Sequence, residues 1–266
     1  MRSLRLGQVF FAIASASLAV WSIGYRHFAW QSVPGWVPWQ AAWIYGSALI
    51  LLAASVGLCL TRTAPVSALV IGAYLAIVAV LSVPLIFAQP LGITAWYPFC
   101  EAVTSLVGVW LIYILLHRES RASATAFTGD GAVYAAQILF GLTCVFYGCS
   151  HFAYADYTAS MVPAWLPGHL VFAYFTGAGH IAAGAAIIAG ILPGLAATLE
   201  AAMMSLFGLL VWVPSFFAQP RPTWAAVPEN QRSELVVNLL LAAAAWIVAI
   251  SIWKRLRGPA RSPLQG

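Results

Sequence analysis

Residues 64–87 read APVSALVIGAYLAIVAVLSVPLIF, a run without one charged or amide side chain. A helix crossing hydrocarbon satisfies its backbone hydrogen bonds internally and needs about 20 apolar residues. This run is long enough. Working outward from it, similar runs occur at about 7–23, 41–60, 98–116, 131–147, 168–191, 194–217 and 235–253, bounded by proline, glycine or arginine. The run at 131–147 reaches full length only if it continues toward Phe152. Composition agrees: 62% of the 266 residues are hydrophobic and 7% are charged, against about 25% charged in an ordinary globular domain. Too few ions remain to cover a water-facing surface. The pattern predicts an all-α polytopic membrane protein with eight transmembrane helices. It excludes a disordered chain, a coiled coil and a nucleic-acid reader, and four dispersed cysteines without a C-x-x-C pair exclude a disulfide scaffold.

The net charge of +5 follows the loops. With eight spans, both termini and the even-numbered loops share one side, which holds Arg2, Arg5, Arg62, Arg118, Arg121, Lys254, Arg255, Arg257 and Arg261. The other side holds Arg26, Arg221 and Arg232. Basic loops stay in the cytoplasm, so a cytoplasmic (inner) membrane location with both termini inside is expected. Trp30, Trp36, Trp39, Trp96, Trp165 and Trp224 then fall at the outer boundary, where an indole keeps one edge wet and one face apolar.

The chain also repeats itself. Gly24-Tyr25-Arg26-His27-Phe28 recurs as Gly148-Cys149-Ser150-His151-Phe152, and Val33-Pro34-Gly35-Trp36-Val37-Pro38 as Val162-Pro163-Ala164-Trp165-Leu166-Pro167. Val83-Pro84 through Phe87-Ala88-Gln89-Pro90 recurs as Val213-Pro214 through Phe217-Ala218-Gln219-Pro220, and Glu101 as Glu234. Ordered landmarks of this kind indicate a tandem duplication: a first four-helix unit over 1–117, a polar linker over 118–130, a second unit over 131–253 and a basic tail over 254–266. An even number of spans per unit gives both units the same topology, related by an axis along the membrane normal. Residues 1–22 also have the pattern of a signal peptide. Their counterpart is the fifth span, in mid-chain, so the first span is expected to be retained.

An ionisable group inside hydrocarbon costs several kcal/mol unless paired or hydrated, about 3 kcal/mol by insertion scales, so each is a functional candidate. Glu200 lies in the seventh span and His180 near the middle of the sixth. Their counterparts in the first unit fall close to Val70 and Leu51, so chemistry is expected in the second unit. A rise of about 1.5 Å per residue puts His180 about 16 Å and Glu200 about 9 Å from the inner face, and direct contact then needs a tilt, a water or a substrate between them. His151 and Glu234 end the fifth span and begin the eighth, as His27 and Glu101 do for the first and fourth. Each set places an imidazole opposite a carboxyl, as an outer relay or as a cross-link between helices. These residues lack metal-binding spacing on any one helix, so no metal site is expected. Cys144 and Cys149 make no redox pair, while Cys100 and Cys149 are placed to approach each other; small apolar fillers are the favoured reading of the cysteines. The segment Met161–Pro167 has two prolines and cannot be one helix. It is expected to lie in the interface as a lid, flanked by Asp156, Tyr154 and Tyr157 in the inserted loop, and Asp156 and Trp165 are candidates for ligand contact there. Gly177, Gly179, Ala182, Ala183 and Gly184 read as close helix packing.

The Gly148–Phe152 end, the Met161–Pro167 loop, the stretch Thr176-Gly177-Ala178-Gly179-His180-Ile181-Ala182-Ala183-Gly184 and the Pro214 exit resemble the DoxX/DoxD-like family of four-helix membrane proteins. The second half carries that pattern nearly whole and the first half more faintly. The resemblance implies a membrane component of oxidoreductase systems linked to quinone or thiol redox. Family members often carry an acidic residue where His180 stands, which is a departure here.

Together these readings give a membrane protein that binds a lipophilic small molecule, with a quinone as the candidate, in the second bundle. His180 would hydrogen-bond the ligand, Glu200 would relay protons, and His151 with Glu234 would form a gate or second relay. No haem, flavin or iron–sulfur ligand set is visible, so electrons would come from a redox partner subunit. A non-enzymatic carrier, or a membrane anchor for a partner protein, is the open alternative.

Overall fold

In a computed structural model, residues 2–28, 38–120, 123, 125–218 and 228–257 are described. Trp30, Trp36, Trp224, Arg121, Arg221, Arg261, the repeat landmark at 33–37 and Gln219-Pro220 lie outside them. The chain is an all-α polytopic membrane protein, and among the described residues eight helical stretches are long and apolar enough to cross a bilayer. They are α1 (Arg2–Tyr25), α2 (Gln40–Leu58), α3 (Ala64–Ala88), α4 (Ile93–Glu119), α5 (Asp130–Ala153), α7 (His169–Ala189), the stretch Pro193–Ser215, and α10 (Pro228–Leu256). The fifth run continues past Phe152, as its length required. Pro193–Ser215 consists of α8 (Pro193–Phe207), a π-helical turn over Gly208–Trp212 and α9 (Val213–Ser215). Pro214 accounts for that turn, because its ring clashes with the carbonyl four residues back and it has no N–H to donate. Between α5 and α7 lies a short helix, α6 (Ala155–Met161), where the sequence suggested only a loop.

Burial sorts the spans into layers. Over their most apolar windows α10 is 78% and α4 61% buried, α1 and α5 are 56% buried, and α2, α3, α7 and the α8 stretch are 33% buried. Thus α4 and α10 form the centre and cross each other there. The first and last helices of each unit barely meet. Instead α1 packs on α10 and α5 packs on α4, so each lobe is closed by the last helix of the other. One lobe is enclosed by α1, α2, α3, α4 and α10, and the other by α5, α7, α8, α10 and α4.

Lipid tails are as apolar as leucine, so close backbone approach and interhelical hydrogen bonds hold such helices together. Both operate at the centre. A methyl on Gly108 of α4 would sit 2.7 Å from Ala244 Cα of α10. The buried Thr104 hydroxyl of α4 lies 2.9 Å from both the Thr143 and Tyr147 hydroxyls of α5. Thr104→Val removes that hub and is expected to cost about 1–3 kcal/mol, the range for leaving buried hydroxyls unsatisfied, read from thermal unfolding in lipid nanodiscs. In the first lobe, Ser15 and Ser55 join α1 to α2 at 2.8 Å, and Gln8 donates to the Leu58 carbonyl. At the end holding the termini, Lys254 pairs with Glu119 at 2.9 Å and Arg118 with Asp130 at 2.9 Å.

Candidate functional site

The site begins with the turn joining α7 to α8. Gly190 adopts φ 72°, and the Ile191 N–H donates to the Ala186 carbonyl at 2.9 Å, closing α7 with a left-handed glycine cap. Pro193 then starts α8 without needing an N–H partner. With α7 ending at Ala189 and α8 starting at Pro193, the helical rise puts His180 about 14 Å and Glu200 about 10 Å from that turn. This corrects the separation inferred from the apolar runs, whose ends lay at 191 and 194. The two side chains meet directly: His180 Nδ1 lies 2.7 Å from Glu200 Oε1, with His180 1% and Glu200 0% exposed. Glu200 Oε2 has no hydrogen-bond partner among the described residues, although the Cys144 thiol of α5 approaches the same carboxyl.

Around His180 the rings of His151, Phe207 and Tyr147 stand with centroids 5.1, 5.7 and 6.1 Å away. His151 does not pair with Glu234. Its Nδ1 lies 2.9 Å from the Thr176 hydroxyl, which donates onward to the Phe172 carbonyl. Nor does His27 pair with Glu101; its Nε2 lies 2.7 Å from Glu229 Oε1 at the start of α10. Both corrections share a cause: each unit is closed by the other's last helix, so the imidazole and carboxyl of one unit do not face each other. The matched carboxyls, Glu101 of α4 and Glu234 of α10, instead line one space beside the central helices.

His180, Glu200, His151, Glu101 and Glu234 all line one mostly apolar cavity of about 1380 Å3 in the second lobe. Among the described residues no lysine or arginine lines it. Glu234 is exposed to this space, whereas Glu101 is part-buried. Tyr97 of α4 and Ser150 of α5 join across its wall, the phenol donating to the Ser150 hydroxyl at 2.6 Å. Asn238 of α10 lines it beside the π-helical turn and donates to the Met204 carbonyl at 3.2 Å. Its mouth, at the end away from the termini, is framed by Tyr154, Tyr157, Met161, Val162 and Leu166. Partial burial, and secondarily the Glu234 carboxylate, raise the Tyr157 phenol above its usual range, so it stays a donor. Asp156 and Trp165, expected at the ligand, are exposed and do not line the cavity: α6 turns its other face inward, and Trp165 is 70% exposed beyond Leu166.

The four cysteines are free, with Cys100 and Cys144 buried and Cys149 exposed, so Cys100 and Cys149 form no bond. Among the described residues no group of three or more His, Cys, Asp or Glu side chains is arranged to hold a metal. Cys144 was read as filler. The overlooked signal was its spacing seven residues before His151, which places both on one helical face. Thr176, four residues before His180, carried the same kind of signal. Compared with known proteins, the chain matches no protein-family model, no curated protein and no solved structure.

Chemically, the pair can move a proton. With Nδ1 committed to Glu200, Nε2 is the nitrogen left for a ligand. A proton accepted at Nε2 is matched by passage of the Nδ1 proton to Glu200 Oε1. The unpartnered Oε2 adds a strong acceptor for a ligand hydroxyl, because a buried carboxyl oxygen without a donor is held at a cost.

Proposed function

We propose that the protein is a component of a membrane redox system, kin to DoxX/DoxD-like proteins, that binds a lipophilic small molecule of the quinone class in its second lobe. The observation carrying this reading is the Glu200 carboxyl: fully buried, with Oε2 lacking a partner among the described residues, beside an imidazole, on a residue that lines a large apolar cavity. A carbonyl oxygen of the ligand accepts from His180, and in the reduced form a hydroxyl donates to Glu200. His180 and Glu200 exchange the protons that accompany reduction and reoxidation, while a partner subunit supplies or removes the electrons. His151, held by Thr176, packs against the outer side of this pair, and Glu101 with Glu234 faces the ligand from the central helices. The residence is the cytoplasmic membrane with both termini inside, supported by the distribution of basic residues.

The test is purification with native lipids, followed by extraction and mass spectrometry. A co-purifying quinone at near-stoichiometric ratio, lost in Glu200→Gln while the protein remains folded, is the expected result. A lipid extract without quinone, together with an unchanged phenotype in Glu200→Gln cells, would replace this reading with that of a membrane anchor.

A further inference from the structure

Two stripes of small residues run along α7, and they meet different surroundings. Gly177 and Gly184 face α5: a methyl on Gly177 would sit 2.8 Å from His151 Cβ, and one on Gly184 2.9 Å from Val145 Cγ2. There the helices touch. Gly179, Ala182, Ala183 and Ala186 instead line the cavity on the side of α8. A methyl on Gly179 would meet only Met203, with Sδ at 3.5 Å, an ordinary contact distance. Small residues in a membrane helix normally close a gap, but this stripe leaves one open.

The far side of the gap points the same way. Leu195, Leu199 and Leu206 of α8 line the cavity and yet are half-exposed, Leu199 at 59%, and Phe175 of α7 lines it at 70% exposed. A side chain that borders an interior space and the surrounding medium at once stands at an opening. From Phe172 to Ala186 that opening follows about 21 Å of helix, at about 1.5 Å per residue. Among the described residues the exposed lips, Phe175, Ala182, Leu195, Leu199 and Leu206, are all uncharged and apolar, a surface suited to hydrocarbon. At its floor it is lined by His180 and by Glu200, whose Oε2 has no hydrogen-bond partner among the described residues.

We infer that the cleft between α7 and α8 is a lateral portal that seats the long hydrocarbon tail of a bilayer-dissolved ligand, whose polar ring reaches the His180–Glu200 pair from the side. The inference rests on the proposed function for the ring and adds the ligand's class: long-tailed and membrane-partitioned.

The experiment uses the full chain in lipid nanodiscs and two probes, a quinone with a diazirine at the end of a long isoprenoid tail and the same ring with a single isoprene unit. Illumination of the first is expected to label peptides containing Phe175, Leu199 or Leu206. Ala182→Phe, at an exposed lip, and Gly179→Leu, in the wall, are each expected to weaken the long-tailed probe about tenfold by overfilling the cleft, and to leave the short one within about twofold. Label elsewhere, or equal loss for both probes, overturns the portal. The proposed function survives that outcome if the short probe still binds and Glu200→Gln still abolishes it. Failure of both probes to bind the unmodified chain overturns both.

Discussion

His180→Leu is expected to destabilise the folded protein by about 3–5 kcal/mol, the usual result of removing one member of a buried, hydrogen-bonded ionisable pair. The replacement leaves Glu200, wholly buried, without its 2.7 Å contact on Oε1 and with Oε2 already unpartnered. Only the Cys144 thiol remains beside the carboxyl, and a thiol is a weak donor. Adding Glu200→Leu in the same chain is expected to recover most of the loss, because exchanging both polar partners for apolar ones of similar size is close to neutral. Thermal unfolding of the two single variants and the double variant in nanodiscs forms a cycle whose coupling term reports the pair directly. The double variant is the informative one for function, since it is expected to be stable and to lack the pair on which the proposed ligand binding depends. A loss below about 1 kcal/mol in the single variant would mean that the pair contributes no more than an exposed one.

The second large effect is expected at the α5–α7 contact. Gly148→Ala places a methyl 2.5 Å from the Gly177 carbonyl oxygen and 2.9 Å from the Ile181 nitrogen, and Gly184→Ala drives one against the Gly141 carbonyl. These neighbours are backbone atoms and cannot rotate away. The helices must separate, at a cost of about 1–3 kcal/mol per substitution. The same separation stretches the His151–Thr176 bond, 2.9 Å in the native packing, so loosening of the site is expected alongside the fall in melting temperature. Gly179→Ala supplies the contrast. Its methyl meets nothing closer than 3.5 Å, and replacing glycine within a helix gains up to about 1 kcal/mol, so a neutral or slightly stabilising result is expected. If all three alanine variants behaved alike, the difference between the two faces of α7 would be lost.

The spans were legible because a bilayer imposes one strong rule, an apolar stretch of sufficient length with very few charges, and Ala64–Ala88, or Pro193–Ser215 with Glu200 as its one charge, satisfies it without reference to any partner. His180 and Glu200 were legible for the complementary reason, since ionisable residues stand out in such stretches. Their contact was not legible, because it depends on where the turn at Gly190 to Leu192 ends one helix and begins the next. A shift of one or two residues there brings the two side chains level. Pairings between units were hidden for a different reason. Equivalent positions in a repeat say which residues correspond, not which ones meet. Glu101 and Glu234 correspond and also line the same cavity, because α4 packs on α10 at the centre, whereas His27 found Glu229 and His151 found Thr176. Cys144 reads as an apolar filler in the sequence because a buried thiol and a methyl look alike in a hydropathy profile.

The cavity draws one wall from the half of the chain that has no buried imidazole or carboxylate pair of its own. Tyr97 and Glu101 line the cavity from α4, and Thr104, one turn further along, secures that wall to α5. The polarity-poor half is therefore not free to move by itself: any drift in the tilt or rotation of α4 reshapes a wall of the cavity in the other lobe.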